Sequence, residues 1–183
     1  MTEPTRRAMQ AEESGAGTAA AAGGKAAEAA VPAGTVVLRE SGMEWDRMPH
    51  HPELYHREIC SAADADRLGI RASSVLWEKI GVGGAVLPHH HDVAELIHIT
   101  KGQVKLLCNG QWTECRAGDT FQVPAGVVHS VFNAGHEPSE QISVFLPVEP
   151  SPPPNRFFGT TLVDVPGPPG AEAAPPRRGE DGA

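Results

Sequence analysis

Gly83-Gly84-Ala85-Val86-Leu87-Pro88-His89-His90-His91-Asp92-Val93-Ala94-Glu95-Leu96-Ile97-His98-Ile99-Thr100-Lys101-Gly102 is the stretch on which the reading of this chain turns. His89 and His91 stand two residues apart, so on a strand both imidazoles point to one face while His90 points away. Asp92, Val93 and Ala94 give the chain room to turn, which lets Glu95 re-enter on the adjoining strand with its carboxylate toward the same interior. Two imidazoles and a carboxylate converging on one point are metal-ligand chemistry. His98 is out of phase with Glu95 and is expected on the outer face or in a subunit contact.

Downstream, Gly118-Asp119-Thr120-Phe121-Gln122-Val123-Pro124-Ala125-Gly126-Val127-Val128-His129-Ser130-Val131-Phe132-Asn133 offers a fourth ligand, His129. Its glycines and Pro124 shape tight turns, after which a later strand can deliver His129. Taken singly, a histidine reads as a structural residue or part of a polar loop. The joint spacing argues instead that His89, His91, Glu95 and His129 hold one divalent transition metal. Three neutral imidazoles and a carboxylate suit Fe, Mn, Ni, Co or Zn and leave open positions on the ion. Alternation from these ligands turns Ile97, Ile99, Val127 and Val131 inward, with Phe121, Val123 and Val144 as further candidates, and Ile97, Phe121, Val127 and Val131 are the expected pocket lining. For Ile99 and Val144, plain core filling serves equally well.

Around these blocks the punctuation is that of short antiparallel strands. They are expected at 74–82, 87–91, 95–100, 104–108, 111–115, 120–123, 128–132 and 141–146, separated by Gly, Pro and Asn-Gly turns. An edge strand at 55–60 and a helical turn at 62–68 precede them. A two-residue Asn109-Gly110 loop sets Cys108 opposite Gln111 and Cys115 opposite Val104, so these two cysteines are not expected to pair with each other.

Here the sequence resembles the cupin superfamily. The residues that carry the resemblance are Gly83, His89, His91, Glu95 and Gly102, then Gly118, Pro124, Gly126, His129 and Asn133. At about 5% usage per residue type, ten such matches at one fixed start arise by chance roughly once in 10¹³. The resemblance implies an all-β fold, a single double-stranded β-helix (jelly-roll barrel) over residues 35–148. It also implies a homodimer, since cupins commonly pair through exposed strands and an open edge is otherwise a liability.

The chain has 183 residues, enough for one domain with tails. Residues 1–34, rich in Ala and Gly without a bulky apolar stripe, are expected to be a disordered tail whose removal leaves folding intact. Ten of the 17 prolines fall from Pro147 onward, so residues 149–183 are expected to be a mostly disordered tail. Within that tail Phe157, Phe158, Leu162 and Val163 form an apolar island able to dock on the domain. A net charge of −8 without a Lys/Arg cluster argues against nucleic acid as a partner. No apolar run is long enough to span a membrane, and three irregularly spaced cysteines do not make a secreted disulfide framework, so the cytoplasm is the expected location.

His50, His51 and His56 lie in a polar, proline-flanked segment and are expected at the surface, with a lid over the barrel mouth as the alternative. Lys101 and Lys105 adjoin the Gly102 turn, so no well-placed cation is expected beside the metal. That disfavours sugar phosphates, nucleotide sugars and oxalate, and favours a neutral or enolisable small-molecule substrate. The resemblance leaves three functions open: an oxygenase, which is favoured, a redox-neutral isomerase or cyclase of secondary metabolism, and a non-catalytic metal or ligand-binding module. In the enzymatic readings Glu95 is the catalytic residue, a ligand that also accepts a substrate proton.

Overall fold

Residue alternation on two strands shows how the interior is built. In the computed structural model, which describes residues 34–149 and 154–169, β3 (Ser74–Ile80) buries Ser74, Leu76, Glu78 and Ile80 while Val75, Trp77 and Lys79 lie on the other face. β10 (Ser139–Leu146) likewise buries Ser139, Gln141, Ser143 and Phe145. The inward expectation for Val144 is therefore corrected. The buried phase of β10 is its polar one, because Gln141 and Ser143 both hydrogen-bond to Glu78 on the neighbouring strand.

The remaining strands are β1 (Asp46–Arg47), β2 (Leu54–Ser61), β4 (Ala85–His91), β5 (Ala94–Lys101), β6 (Gln103–Cys108), β7 (Gln111–Arg116), β8 (Thr120–Val123), β9 (His129–Asn133) and β11 (Thr160–Leu162). They form two antiparallel sheets, one ordered β1-β2-β3-β10-β5-β8 and the other β11-β4-β9-β6-β7. This is the jelly-roll arrangement, with Leu54, Ile80, Val86, Ile97, Ile99, Val104, Leu106 and Val131 packed between the layers. Each such side chain, fully buried, contributes roughly 1.5–3 kcal/mol.

The turns follow from their residues. Asn109 and Gly110 both adopt positive φ, at 51° and 77°, which gives the tight turn whose twist suits a hairpin. Cys108 pairs with Gln111 and Val104 with Cys115 as expected, and all three cysteines are free. Gly102 sits at φ 86°, where a Cβ would come within 3.0 Å of the Ser139 backbone, so this position admits only glycine without displacement. The helix α1 (Ala62–Leu68) starts at a capping box between Ser61 and Asp64 and stops at Gly69, whose φ is 68°.

Within the expected C-terminal tail, residues 160–162 form β11, which pairs with β4 and sets Leu162 opposite His89. The edge strand expected at 55–60 is the longer β2, which pairs with β3 along its length and with the short β1 on its other side. The tail expectations for residues 1–33, 150–153 and 170–183 lie outside the described residues. Among the described residues no helix is long and apolar enough to cross a membrane.

Candidate metal centre

His89 and His91 come from the end of β4, His129 opens β9, and Glu95 is the second residue of β5. β4 and β9 are neighbours with His89 and His129 as cross-strand partners, whereas β5 belongs to the opposite sheet. The four side chains therefore meet where the layers face each other. Each is no more than 5% exposed, and one ligand atom from each lies within 4.8 Å of the others. His90, between two buried neighbours, is only half-buried, as strand alternation requires.

The imidazoles are oriented from behind. His89 Nδ1 donates to the Leu87 carbonyl over 2.7 Å, and His129 Nδ1 donates to the Val127 carbonyl over 2.9 Å. A carbonyl only accepts, so the proton of each neutral ring sits on Nδ1 and the Nε2 lone pair turns inward. His91 Nδ1 lies 2.9 Å from Thr160 Oγ1, which can play the same part. The Nε2 atoms of His89 and His91 then stand 2.9 Å apart. Two ring nitrogens held that close can share a proton or a cation, and the donor set fits a divalent transition metal.

Electrostatics agrees. Burial, reinforced by His129 and His91, holds the His89 pKa well below the usual histidine range. Burial pushes His91 down to about 4 against the opposing pull of Glu95. For His129 burial also lowers the pKa, but the hydrogen bond and charge of Glu95 outweigh it and the net change is upward. His129 Nε2 lies 2.9 Å from Glu95 Oε2, and His91 Nε2 lies 3.5 Å from the same oxygen. Two neutral imidazoles beside a carboxylate paired with a protonatable one form a site in which a metal ion can replace a proton.

The cluster lines a cavity of about 440 Å³, within the range of small-molecule sites. Met48, Leu54, Leu76, Ile97, Val131 and Phe145 supply much of its apolar wall, and no Lys or Arg is among its described lining residues. Of the four expected pocket residues, Ile97 and Val131 line it. Phe121 and Val127 do not, and pack half-buried against the core cluster. Phe121 lies on the edge strand β8 opposite Ile97 of β5, and Val127 lies in the turn before β9, where its carbonyl rather than its side chain serves the site.

Several lining residues escaped the sequence reading. His50, exposed as expected, and His51, half-buried, both border the cavity. His51 Nδ1 accepts the Leu87 amide over 2.9 Å, and burial pushes its pKa down to about 4. From the C-terminal side, Phe158 stacks on Phe145 with ring centres 3.8 Å apart and stands edge-on to His91 at 4.8 Å. Glu78, buried on β3 and bordering the cavity, has its pKa raised to about 7 by burial, with the Glu95 charge adding to the rise and the Ser143 and Gln141 hydrogen bonds opposing it. A carboxylate between Leu76 and Ile80 on a buried phase was the signal that could have found it.

Residues 76–145 match the family described as Cupin domain. A putative germin-like protein 9-2 from Oryza sativa subsp. japonica is 35% identical over 86 residues, which cover 43% of this chain and 40% of that relative's length. Among solved structures, the polyketide cyclase RemF from Streptomyces resistomycificus aligns with a TM-score of 0.56 at 17% identity, over 72% of this chain and 87% of its own. A predicted oxalate decarboxylase from Thermotoga maritima aligns with a TM-score of 0.56 at 24% identity, over 62% of this chain and all of its own. A sugar phosphate isomerase from Silicibacter pomeroyi gives 0.55 at 18%, over 71% and 83%. At these identities the structural likeness establishes the fold.

Proposed function

From the premise that this chain carries a cupin domain, we propose that it is a metal-dependent enzyme acting on an uncharged, enolisable organic molecule. One observation carries the reading: four buried ligand atoms converge on a largely apolar cavity with no Lys or Arg among its described lining residues. A phosphate or dicarboxylate substrate would find no Lys or Arg beside the proposed metal to balance its remaining charge, which argues against the substrate classes named for two of the structural neighbours. A hydrophobic carbonyl compound finds apolar walls and aromatic rings.

His89, His91, Glu95 and His129 are the proposed ligand set. A divalent metal held by them would supply Lewis acidity toward a substrate carbonyl and, if redox-active, electron transfer toward O₂. Leu87, Val127 and Thr160 orient the imidazoles, and Glu95, whose Oε2 lies 2.9 Å from His129 Nε2, would take the α-proton of a bound ketone. Phe145 and Phe158 keep water from the His91 side. Capture of the enolate by O₂, as in an oxygenase, is the first reading. Redox-neutral isomerisation or cyclisation is the second, favoured by Glu78, a further carboxyl on the same cavity able to return a proton.

Elemental analysis of protein purified without chelator, followed by oxygen-uptake and product assays against β-diketones and polyhydroxylated aromatics, tests this. Iron, nickel or manganese with oxygen uptake supports the oxygenase, and turnover without uptake supports the isomerase or cyclase. Retention of metal with no turnover of any enolisable compound would point to a binding module instead. Glu95→Ala is expected to keep part of the metal and lose nearly all turnover. Homodimer formation belongs to the same proposal and is supported by the half-buried outer face of the six-stranded sheet, where Val75, Ile142, Val144 and Leu146 lie. A monomer by light scattering at micromolar concentration would remove it.

A further inference from the structure

Glu78 is 4% exposed and faces the cavity from β3, outside the cluster of converging ligand atoms. Both hydrogen bonds to it end on one oxygen: Gln141 Nε2 reaches Oε2 at 2.8 Å and Ser143 Oγ at 2.6 Å. Among the described residues Oε1 takes no hydrogen bond, and it is not among the sealed side-chain atoms without a partner. On a residue that lines the cavity, Oε1 is then the oxygen that opens on it. Gln141 and Ser143 are themselves 2% and 0% exposed and are fixed on β10 opposite and diagonal to Glu78, so they hold the carboxyl in one orientation. Leu54, Leu76 and Ile97 line the cavity beside it with apolar surface, and the Oε1 of Gln141, another lining residue, is sealed from it.

We infer that Glu78 Oε1 is a second polar contact for the ligand, an acceptor that takes a hydroxyl donor (a phenol, enol or alcohol O–H) of a molecule whose other oxygen faces the metal cluster. This rests on the proposed small-molecule site and narrows its ligand class to uncharged hydroxylated compounds with an apolar, ring-sized body. A buried carboxyl opening on an otherwise apolar wall leaves a large desolvation cost unless a ligand hydroxyl or water meets it. A methyl ether in place of the hydroxyl leaves that oxygen unmet, which is the basis of discrimination. Gln141 and Ser143 act as positioning residues through Glu78.

Glu78→Gln has a specific consequence. With its oxygen kept on Gln141 Nε2 and Ser143 Oγ, which already donate at this position, the new amide turns its NH₂ to the cavity. The acceptor becomes a donor of almost unchanged shape. The probes are 1-naphthol and 1-methoxynaphthalene, with affinities measured by calorimetry at pH 8 on zinc-loaded and on metal-free full-length protein. The wild-type preference for 1-naphthol is expected to fall about tenfold in Glu78→Gln in both forms, the loss of one hydrogen bond to a charged group. Metal content by elemental analysis should be unchanged. Glu78→Asp, which keeps the charge and withdraws it by one methylene, should lose part of the preference and serves if the first variant does not fold. An unaltered preference in these variants, or failure of wild-type protein to bind either compound, overturns the inference. Loss of metal in Glu78→Gln overturns it too, by placing Glu78 in the metal cluster. If wild-type protein takes up no metal but the metal-free preference still depends on Glu78, the metal-dependent reading fails and this contact stands.

Discussion

The two sheets supply the site with different chemistry. The five-stranded sheet gives all three imidazoles, His89 and His91 from β4 and His129 from β9, together with Thr160 on β11. The six-stranded sheet gives both cavity carboxyls, Glu78 from β3 and Glu95 from β5, with Gln141 and Ser143 on β10. Support differs as well. His89 and His129 are aimed by carbonyls two residues back in their own chain, whereas Glu78 is held by side chains 63 and 65 residues away. A metal centre at this place requires the layers to be packed together, and packing is in turn strengthened by whatever ion joins His89 and His91 to Glu95.

The largest break in this comparison comes from taking away the ion that links the layers. Stripping metal with dipicolinate should lower the melting temperature by roughly 10–20 °C, as expected when a ligand at about 1,000 times its Kd contributes about 4 kcal/mol. Calorimetry before and after chelation, with restoration on adding metal back, measures it.

A second test loads the six-stranded sheet alone. In metal-free protein the Glu78 pKa of about 7 lies above its ordinary value of 4.5. Between these values the folded state holds the extra proton, so stability from this group is fully present below about pH 4.5 and is lost as pH rises through 7. Glu78→Gln should remove that loss, a gain of up to about 3 kcal/mol at pH 8 that vanishes at pH 4.5. Urea melts of both proteins across this range would decide it, and parallel curves would contradict the account.

On the five-stranded side Thr160→Val deletes the oxygen behind His91 Nδ1 and keeps the shape. Metal affinity should fall roughly tenfold with sheet content unchanged, a smaller effect because only one of three rings loses its support. Competition against a zinc dye reads this directly.

The same contrast explains what the sequence made legible. The imidazole layer is local: His89 and His91 share a strand face, and each motif glycine or Pro124 marks a turn that can be placed by inspection. Strand positions from 74 to 146, the Asn109-Gly110 hairpin and α1 all follow from such short-range signals. Glu78 did not follow, because its meaning depends on Gln141 and Ser143, whose hydrogen bonds reverse the usual preference for apolar residues on a buried strand face. Val144 was misplaced for the same reason. Phe158 and Thr160 lie beyond a proline-rich break, and only the three-residue pairing of β11 with β4 brings them to His91. Nothing in the local pattern around Thr160 specifies that pairing.

The central claim is that His89, His91, Glu95 and His129 hold one divalent metal, and elemental analysis of folded variants tests it most directly. Protein purified without chelator should carry about one transition ion per chain, and His89→Ala, His91→Ala and His129→Ala should each lose most of it. His90→Ala, on the opposite face of the same strand, should keep it, with circular dichroism showing unchanged sheet content throughout. Equal metal loss from His90→Ala and His91→Ala, or undiminished metal in His129→Ala, would contradict the ligand assignment.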